Sequence, residues 1–415
     1  MKNKKMRSLS VITLAALLSV AAVGCSNAQV DSRAGAVTTQ TATSTVSSSA
    51  APTATSTAAS IAASTAKASD QDTAELFSDR DLKQSADLAT ATQMKLVSNQ
   101  DVTLNKEGVY VLSGEVDNVT IVVDAADDAK VQIVLDGVSI TNEDSPAIYV
   151  KEADKVFVTS TESKNRMVVS GSYKADGDTN LDAVIFSRAD MTLNGTGTLD
   201  IVSKAGNGIS SKDDLKITGG MYTIQSSADA IEANDAILIN DGTITIDSGK
   251  DALHSENDED TSRGYIYIEG GTLTINAADD AIRGNSFVQI DGGIINIESS
   301  EEGIEANAIK INDGQITLYA NNDGINATPK INSDVVIEVN GGTIDVSMAS
   351  GDTDAFDSNG DLYINGGTIN VKAVSAFDAD GTAQLNGGNV TVNGEKITQI
   401  TQSRGGGGGV RGMRR

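Results

Sequence analysis

The chain has 415 residues, among them 40 Gly, 3 Pro, one His, one Cys and no Trp, and its formal net charge is −26. A single His cannot build a multi-His metal site, and a single Cys cannot form an intramolecular disulfide framework. So acidic a body repels nucleic acid and anionic lipid and attracts cations.

Residues 1–24 read as an export leader: Lys2, Lys4, Lys5 and Arg7 precede the apolar run VITLAALLSVAAVG, which is short for a membrane span and ends in small residues. Next comes Cys25, the sole Cys, in AVGC. This stretch resembles a bacterial lipobox, with Ala22 where Leu is usual, which would make Cys25 a lipidation site and the only membrane contact. The other reading is an ordinary signal peptide with an incidental Cys. Residues 25–72 are Ser, Thr and Ala with few large apolar side chains, too few to offset the entropy of ordering, and are expected to be a disordered tether. Residues 73–101 are expected to cap a domain spanning 102–402, and residues 403–415, Gly- and Arg-rich, to be a solvated tail.

Within 102–402 the chain repeats. Asp229-Ala-Ile returns as Asp251-Ala-Leu, and Gly-Gly or Asp-Gly turns recur at Gly219, Asp241, Gly270, Gly292, Asp313, Gly341, Gly366 and Gly387. Apolar residues sit two and four places before each turn (Ile268 and Ile266 before Gly270) and three and five places after it (Leu273 and Ile275). A third apolar row runs Ile209, Ile231, Leu253, Ile282, Ile304, Ile325, Phe356 and Phe377. Alternation of period two marks strands with one buried face, and a recurrence of about 22 residues marks a solenoid. The fold expected is all-β: a single-stranded parallel β-helix of about 22-residue coils with three strands each. Five such apolar residues per coil contribute about 7–15 kcal/mol gross. That is less than the cost of ordering one coil, so no coil stands alone.

Each lap opens on an acid: Asp229, Asp251, Asp280, Glu302, Asp323 and Asp354. Equivalent residues of successive coils stack about 4.8 Å apart. Two carboxylates that close repel by about 3–4 kcal/mol at an effective dielectric near 20. Two compensations are open. Each acid could cap its own turn by accepting backbone N–H bonds. Alternatively Ca²⁺, which takes carboxylate and carbonyl oxygens in irregular loops, could be bound by these residues together with Asp279, Glu301, Asp352, Asp357, Asp378 and Asp380. A second column, three residues on, carries Glu232, His254, Arg283, Glu305, Asn326, Asp357 and Asp378. Its plainest reading is a surface ion-pair ladder.

Two laps carry extra residues before the Gly turn, ENDEDTS and TPKINSD, on the same edge of the expected helix. They could wall a groove over the laps of Asp280 and Glu302, with Arg283, Phe287, Glu305 and Lys310 as its floor and Tyr265 and Tyr267 extending an apolar patch. These six are the candidate carbohydrate-binding residues. Equally, insertions of this kind are tolerated on the surface of any solenoid.

The stretches VQIVLDGVSITNEDSPAIYV, AVIFSRADMTLNGTGTLDI, GISSKDDLKITGG and DAFDSNGDLYINGGTI, with the lipobox, tether and Gly-rich end, resemble a bacterial family. It is that of the carbohydrate-binding β-helix lipoproteins of the clostridial cellulose- and acidic-sugar-binding type. The resemblance implies a right-handed parallel β-helix similar to pectate lyases, bound Ca²⁺, and affinity for polygalacturonate-like or cellulosic chains; it supplies no catalytic residues. Absence of Trp removes the aromatic platform usual in flat binding to crystalline cellulose. Three functions stay open. The first is a monomeric, non-catalytic carbohydrate-binding protein, lipid-anchored outside the cell membrane, with Ca²⁺ bridging its acids to uronates. The second is a polysaccharide lyase with Arg283 as base beside Asp279 and Asp280. The third is a structural or adhesive β-helix without a specific ligand.

Overall fold

Rows of apolar side chains on short strands are buried only when the strands stack. The computed structural model describes residues 76–351 and 353–401, and every regular element among them is a β-strand. The leader, Cys25, the tether, the first three residues of the expected cap, Asp352 and the C-terminal tail lie outside the described residues. The strands form a parallel β-helix with three strands per coil. Sheet I stacks 12 short strands, from Val102–Leu104 to Ser375–Ala379. The remaining strands form two further faces, sheets II and III. They are separate in the coil of Tyr265–Ile268 (II) and Thr272–Ala277 (III), and joined where one strand rounds the corner, as in Leu215–Ser226 and Ala236–Ser248.

The register follows the apolar rows. Leu253 pairs with Ile282, Ile304 with Ile325 and Phe356 with Phe377 in sheet I. Ile266 pairs with Val288 in sheet II and Leu273 with Ile295 in sheet III. All of these side chains are 0–2 % exposed. A one-residue slip would turn every row outward, so burial pins the register.

In the Gly-Gly turns both glycines are needed, for different reasons. A Cβ on the first would lie 2.6 Å from the Asn240 carbonyl oxygen at Gly270 and 2.2 Å from that of Asn340 at Gly366, so the coil beneath leaves no room. The second is held at positive φ, 88° at Gly271 and 84° at Gly367, where a side chain is strained. Just before these turns runs a ladder of amides. Asn386 donates to Asn365 at 2.8 Å, Asn365 to Asn340 at 2.9 Å, Asn340 to Asn312 at 2.8 Å, and Asn312 to the Asp291 carboxylate at 2.7 Å. Each amide is donor to one coil and acceptor from the next, so the row satisfies itself and ends on an anion.

The two ends depart from expectation. Thr92–Lys95 already pairs in parallel with Tyr110–Ser113, so the ladder begins ten residues before Val102. The stretch upstream is not a lid on the end of the stack but a strap along the outer face of sheet II. Phe77 lies 6.4 Å, ring to ring, from Tyr267; Gln84 accepts the Gly195 N–H at 2.9 Å and donates to the Thr218 carbonyl at 2.7 Å; and the Arg80 guanidinium covers the Phe157 ring at 4.3 Å. At the other end Glu395–Lys396 folds back antiparallel on Asn389–Val392, and Ile397 and Ile400 pack on the core.

One buried ion pair fixes the strap. Asp81, 1 % exposed, accepts from Lys155 Nζ at 2.7 Å and from the Thr192 hydroxyl at 2.6 Å. Burial alone would push this carboxyl up, but the bonds from Lys155, Thr192 and Ser78 outweigh it and lower it to about 2. Its contribution is therefore complete above the ordinary carboxylate range and is lost only as pH falls from about 4 through about 2. Asp81→Ala leaves the Lys155 ammonium buried without its partner, and is expected to open the strap at a cost of about 3–5 kcal/mol. Hydrogen exchange checks this: the Gly195 amide should lose protection while the Leu253 and Ile282 amides of sheet I keep theirs.

Candidate functional site

The acids that open the laps gather at the corner where sheet III gives way to sheet I. At Asp251, Asp280 and Asp354 the turn leaves a backbone N–H pointing along the solenoid axis, and the acid of the coil before accepts it. The Asp251 N–H donates to Asp229 Oδ1 at 3.1 Å, Asp280 N–H to Asp251 Oδ1 at 2.9 Å, and Asp354 N–H to Asp323 Oδ1 at 3.0 Å. The capping thus runs between coils rather than within a turn, and it uses one carboxylate oxygen of each pair.

The second oxygens face the outward column of sheet I. His254 Nδ1 lies 3.2 Å from Asp229 Oδ2 and 3.5 Å from Asp251 Oδ2, and its Nε2 lies 3.1 Å from Glu256. Burial would lower the His254 pKa, but Asp229 and Asp251 outweigh it and raise it above the ordinary value. Arg283 lies between Asp251 (3.6 Å) and Glu305 (3.5 Å), and Lys330 reaches the same Glu305 oxygen at 2.8 Å. Cations and acids therefore alternate along the corner, with acids in excess.

The excess centres on Asp280, which is 5 % exposed. Burial, then the charges of Asp251, Glu302 and Glu305, push its carboxyl up to about 9. Carboxylate oxygens of Asp251, Asp279 and Asp280 lie within 4.8 Å of one another, as do those of Asp280, Glu302 and Glu305. Beside them the Asn326 amide donates to Glu302 at 2.8 Å, while its carbonyl oxygen, buried, meets no donor among the described residues. Several carboxylates and an unpaired amide oxygen form an all-oxygen set of the kind a hard divalent cation takes, so these residues fit Ca²⁺. Glu301 sits exposed at the rim of this corner. Asp323, Asp354, Asp357, Asp378 and Asp380 form a second acidic stretch farther along, where burial and then the other four push Asp357 up to about 7.

Structure divides the expected groove. The loops Glu256–Arg263 and Thr328–Val335 do leave the solenoid at one corner, between sheets I and II. Arg283 and Glu305 point outward from sheet I, whereas Tyr265, Tyr267, Phe287 and Lys310 point outward from sheet II, around the corner. Tyr265 and Phe287 stack at 4.6 Å and share a buried cluster with Leu76 and Phe77 of the strap. Tyr267, 2 % exposed, donates to Asp291 at 2.9 Å. These rings are packed rather than presented, and Lys310 is also buried. The second loop folds back flat onto the preceding coil, where Asn307 Oδ1 accepts the Lys330 and Ile331 N–H groups. The first loop, tied by Arg263 and Asn257 to Asp235, instead encloses an open cavity of about 640 Å³ over the coils of Glu232 and His254. Lys212, Asn234 and Asp235 line it beside Glu232, His254 and the loop acids. Sequence reasoning missed Lys212, Asn234 and Asp235, because the direction in which a loop folds depends on partners in another coil.

The profile of a family described as carbohydrate-binding domain-containing protein matches residues 98–355. A carbohydrate-binding domain-containing protein from Acetivibrio thermocellus is 37 % identical over 130 residues, covering 31 % of this chain and 46 % of that relative. The match therefore spans about half the relative's length. A solved structure described as the polysaccharide lyase-like protein from C. thermocellum, a gadolinium derivative, aligns with 73 % of this chain and 96 % of its own at 24 % identity and a TM-score of 0.42.

The Asp280 carboxyl supplies a test of the corner's electrostatics. Unfolded, it loses its proton near pH 4; folded, it keeps it to about 9, so folding takes up a proton between those values and stability falls as pH rises through them. Asp280→Asn cannot ionise. In chelator, its urea midpoint should match wild type near pH 4 and exceed it at pH 8, by on the order of 3 kcal/mol in free energy.

Proposed function

The chain belongs to the carbohydrate-binding domain-containing protein family, and we propose that it binds an acidic, polygalacturonate-like polysaccharide without turning it over. The observation that carries this reading is the Asp280 corner: an over-crowded set of buried carboxylates and an unpaired Asn326 oxygen beside a guanidinium. Asp251, Asp280, Glu302, Glu305 and Asn326 would hold Ca²⁺, with Asp279 at the rim. Bound there, the ion supplies the positive charge through which an acidic protein meets an acidic sugar. Arg283, held in place by Asp251 and Glu305 and still partly open to solvent, offers N–H donors to a uronate carboxylate. Lys212, Asn234 and Asn257 around the neighbouring cavity offer donors to further carboxylates and ring hydroxyls.

The alternative, lysis, asks Arg283 to act as a base. Burial lowers the Arg283 pKa, but Asp251, Glu305 and Asp280 outweigh it and hold the guanidinium above its ordinary value. A base that never releases its proton cannot abstract one, and this favours binding alone. Cys25 and the leader support export and a lipid anchor outside the cell membrane, and the net charge of −26 argues against nucleic acid as a partner.

Calorimetric titration of the protein with oligogalacturonate, in calcium and in chelator, tests the reading. Binding is expected only with calcium and without unsaturated uronate product. Arg283→Ala, titrated well below its melting temperature, should bind about tenfold more weakly, the loss of one charge-assisted contact, and should melt lower than wild type in chelator because Asp251 and Glu305 lose the cation between them. Unsaturated product that disappears in Arg283→Ala would establish the lyase instead, and no binding in either buffer would leave a scaffold. Separately, calcium should raise the melting temperature of wild type at neutral pH more than that of Asp280→Asn, since the ion replaces a proton that the variant does not carry.

A further inference from the structure

Sheet II hides side chains that point away from the core. Next to its inward row of Ile266, Val288, Ile309, Ile337 and Leu362 runs an outward row of Tyr267, Gln289, Lys310, Glu338 and Tyr363, paired in register from coil to coil. The outward side of a solenoid face ordinarily meets solvent, and Thr245, Glu298 and Thr317 of sheet III do so. Yet Tyr267, Gln289, Lys310 and Tyr363 are only 2, 4, 8 and 5 % exposed. Over Tyr267 the cover is Phe77 of the strap. The row continues for four coils beyond Tyr267, whereas the described strap begins at Leu76.

The row also specifies the chemistry of what covers it. Buried Gln289 Oε1 and Glu338 Oε2 meet no donor among the described residues, although the Gln289 amide donates to Asp291 at 3.1 Å and the other Glu338 oxygen accepts from Asn365 at 3.4 Å. A buried acceptor is costly until a donor reaches it, and the backbone N–H groups of an extended segment laid along the row are such donors. Lys310 stands between these two acceptors, and an ammonium taken out of water calls for a carboxylate. Beside them Phe287, Ala308 and Val336 form an apolar seam that already holds Leu76 and Phe77. The cover is therefore an extended acidic segment with small side chains, continuous with the strap.

The strap supplies the direction. Read back from Gln84, which bonds Gly195 and Thr218, it reaches Phe77 over Tyr267, two coils beyond Thr218. At about 3.3 Å per extended residue and a coil rise of about 4.8 Å, roughly three more residues reach Lys310 and roughly six reach Tyr363. The residues that precede Leu76 are DQDTAE, three acids among small or polar neighbours. We propose that residues 70–75 dock on the outward row of sheet II as a continuation of the strap, with the Asp72 and Glu75 carboxylates beside Lys310. The chain toward Cys25 then leaves the solenoid near Tyr363, on the face opposite the Asp280 corner. This docking is independent of what that corner binds.

Carbodiimide coupling of the full chain, mapped by tryptic mass spectrometry, tests this, with amine labelling as a second readout. The expected product is an amide between Lys310 and Asp72 or Glu75, in a yield that dilution leaves unchanged. Lys310 should label about tenfold more slowly than exposed Lys250. Replacing residues 70–75 by Gly-Ser repeats should abolish that product and speed Lys310 labelling about tenfold, while Lys155, beneath the described strap, stays slow. The milder Asp72→Asn/Glu75→Gln variant, which keeps the backbone, should also lose the product, with Lys155 again slow as the sign that the strap is in place. Three results overturn the docking: Lys310 labels as fast as Lys250 in wild type, Lys310 stays as slow in the Gly-Ser variant as in wild type, or Lys310 couples to no acid of residues 70–75. A product that joins light and heavy copies in an isotopically mixed sample would assign the row to a second copy of the chain and overturn it as well.

Discussion

In-register stacking governs this protein. Every residue lies about 4.8 Å from its counterpart one coil away, so each position must tolerate its own kind as a neighbour. Apolar residues do this at no cost, and the rows of Ile, Leu and Val that include Ile266 and Val288 follow. Asparagine does it by donating to one neighbour and accepting from the other, as in the row from Asn386 to Asn312. Glycine does it where the coil beneath leaves no space for a Cβ. Carboxylates tolerate it least, which is why the acidic corner is the exceptional part of the molecule.

That corner relieves repulsion in three ways at once. One oxygen of Asp229, Asp251 and Asp323 is neutralised by a backbone donor from the next coil. His254, Arg283 and Lys330 are interleaved between acids. Asp280, with no cation of its own among these, has its carboxyl pushed well above the ordinary carboxylate range. A bound divalent cation would substitute for its proton, so the same crowding that costs stability makes the corner receptive to a ligand. The solenoid tolerates the cost because its core rows and the strap are independent of it; Asp81 and Lys155 secure the opposite flank through a charge pair that is fully matched.

Much of this was legible in the residues. The three apolar rows, the Gly turns and the acids at each lap opening are local and periodic, and the observed registers reproduce them. Legibility ended where a group's partner lies off the repeat. Phe77 and Tyr267 are 190 positions apart in the chain yet neighbours in space, so nothing in the coil of Tyr267 announces that its ring is covered. Tyr265 and Phe287 had the composition of a sugar platform and the position of a packed seam. The direction taken by the loop at Glu256 was equally hidden, since it turns on Asp235 in the preceding coil.

Sequence alone therefore determined what faces inward and what repeats: burial acts on each strand separately, and a period of two or of 22 is written in consecutive residues. Tertiary structure decided what the outward groups meet. Whether an aromatic is a platform or a seam, whether an acid keeps its proton, and which two coils share a cavity all depend on distances between segments remote in sequence, and those distances exist only once the solenoid has closed and the strap has been laid along it.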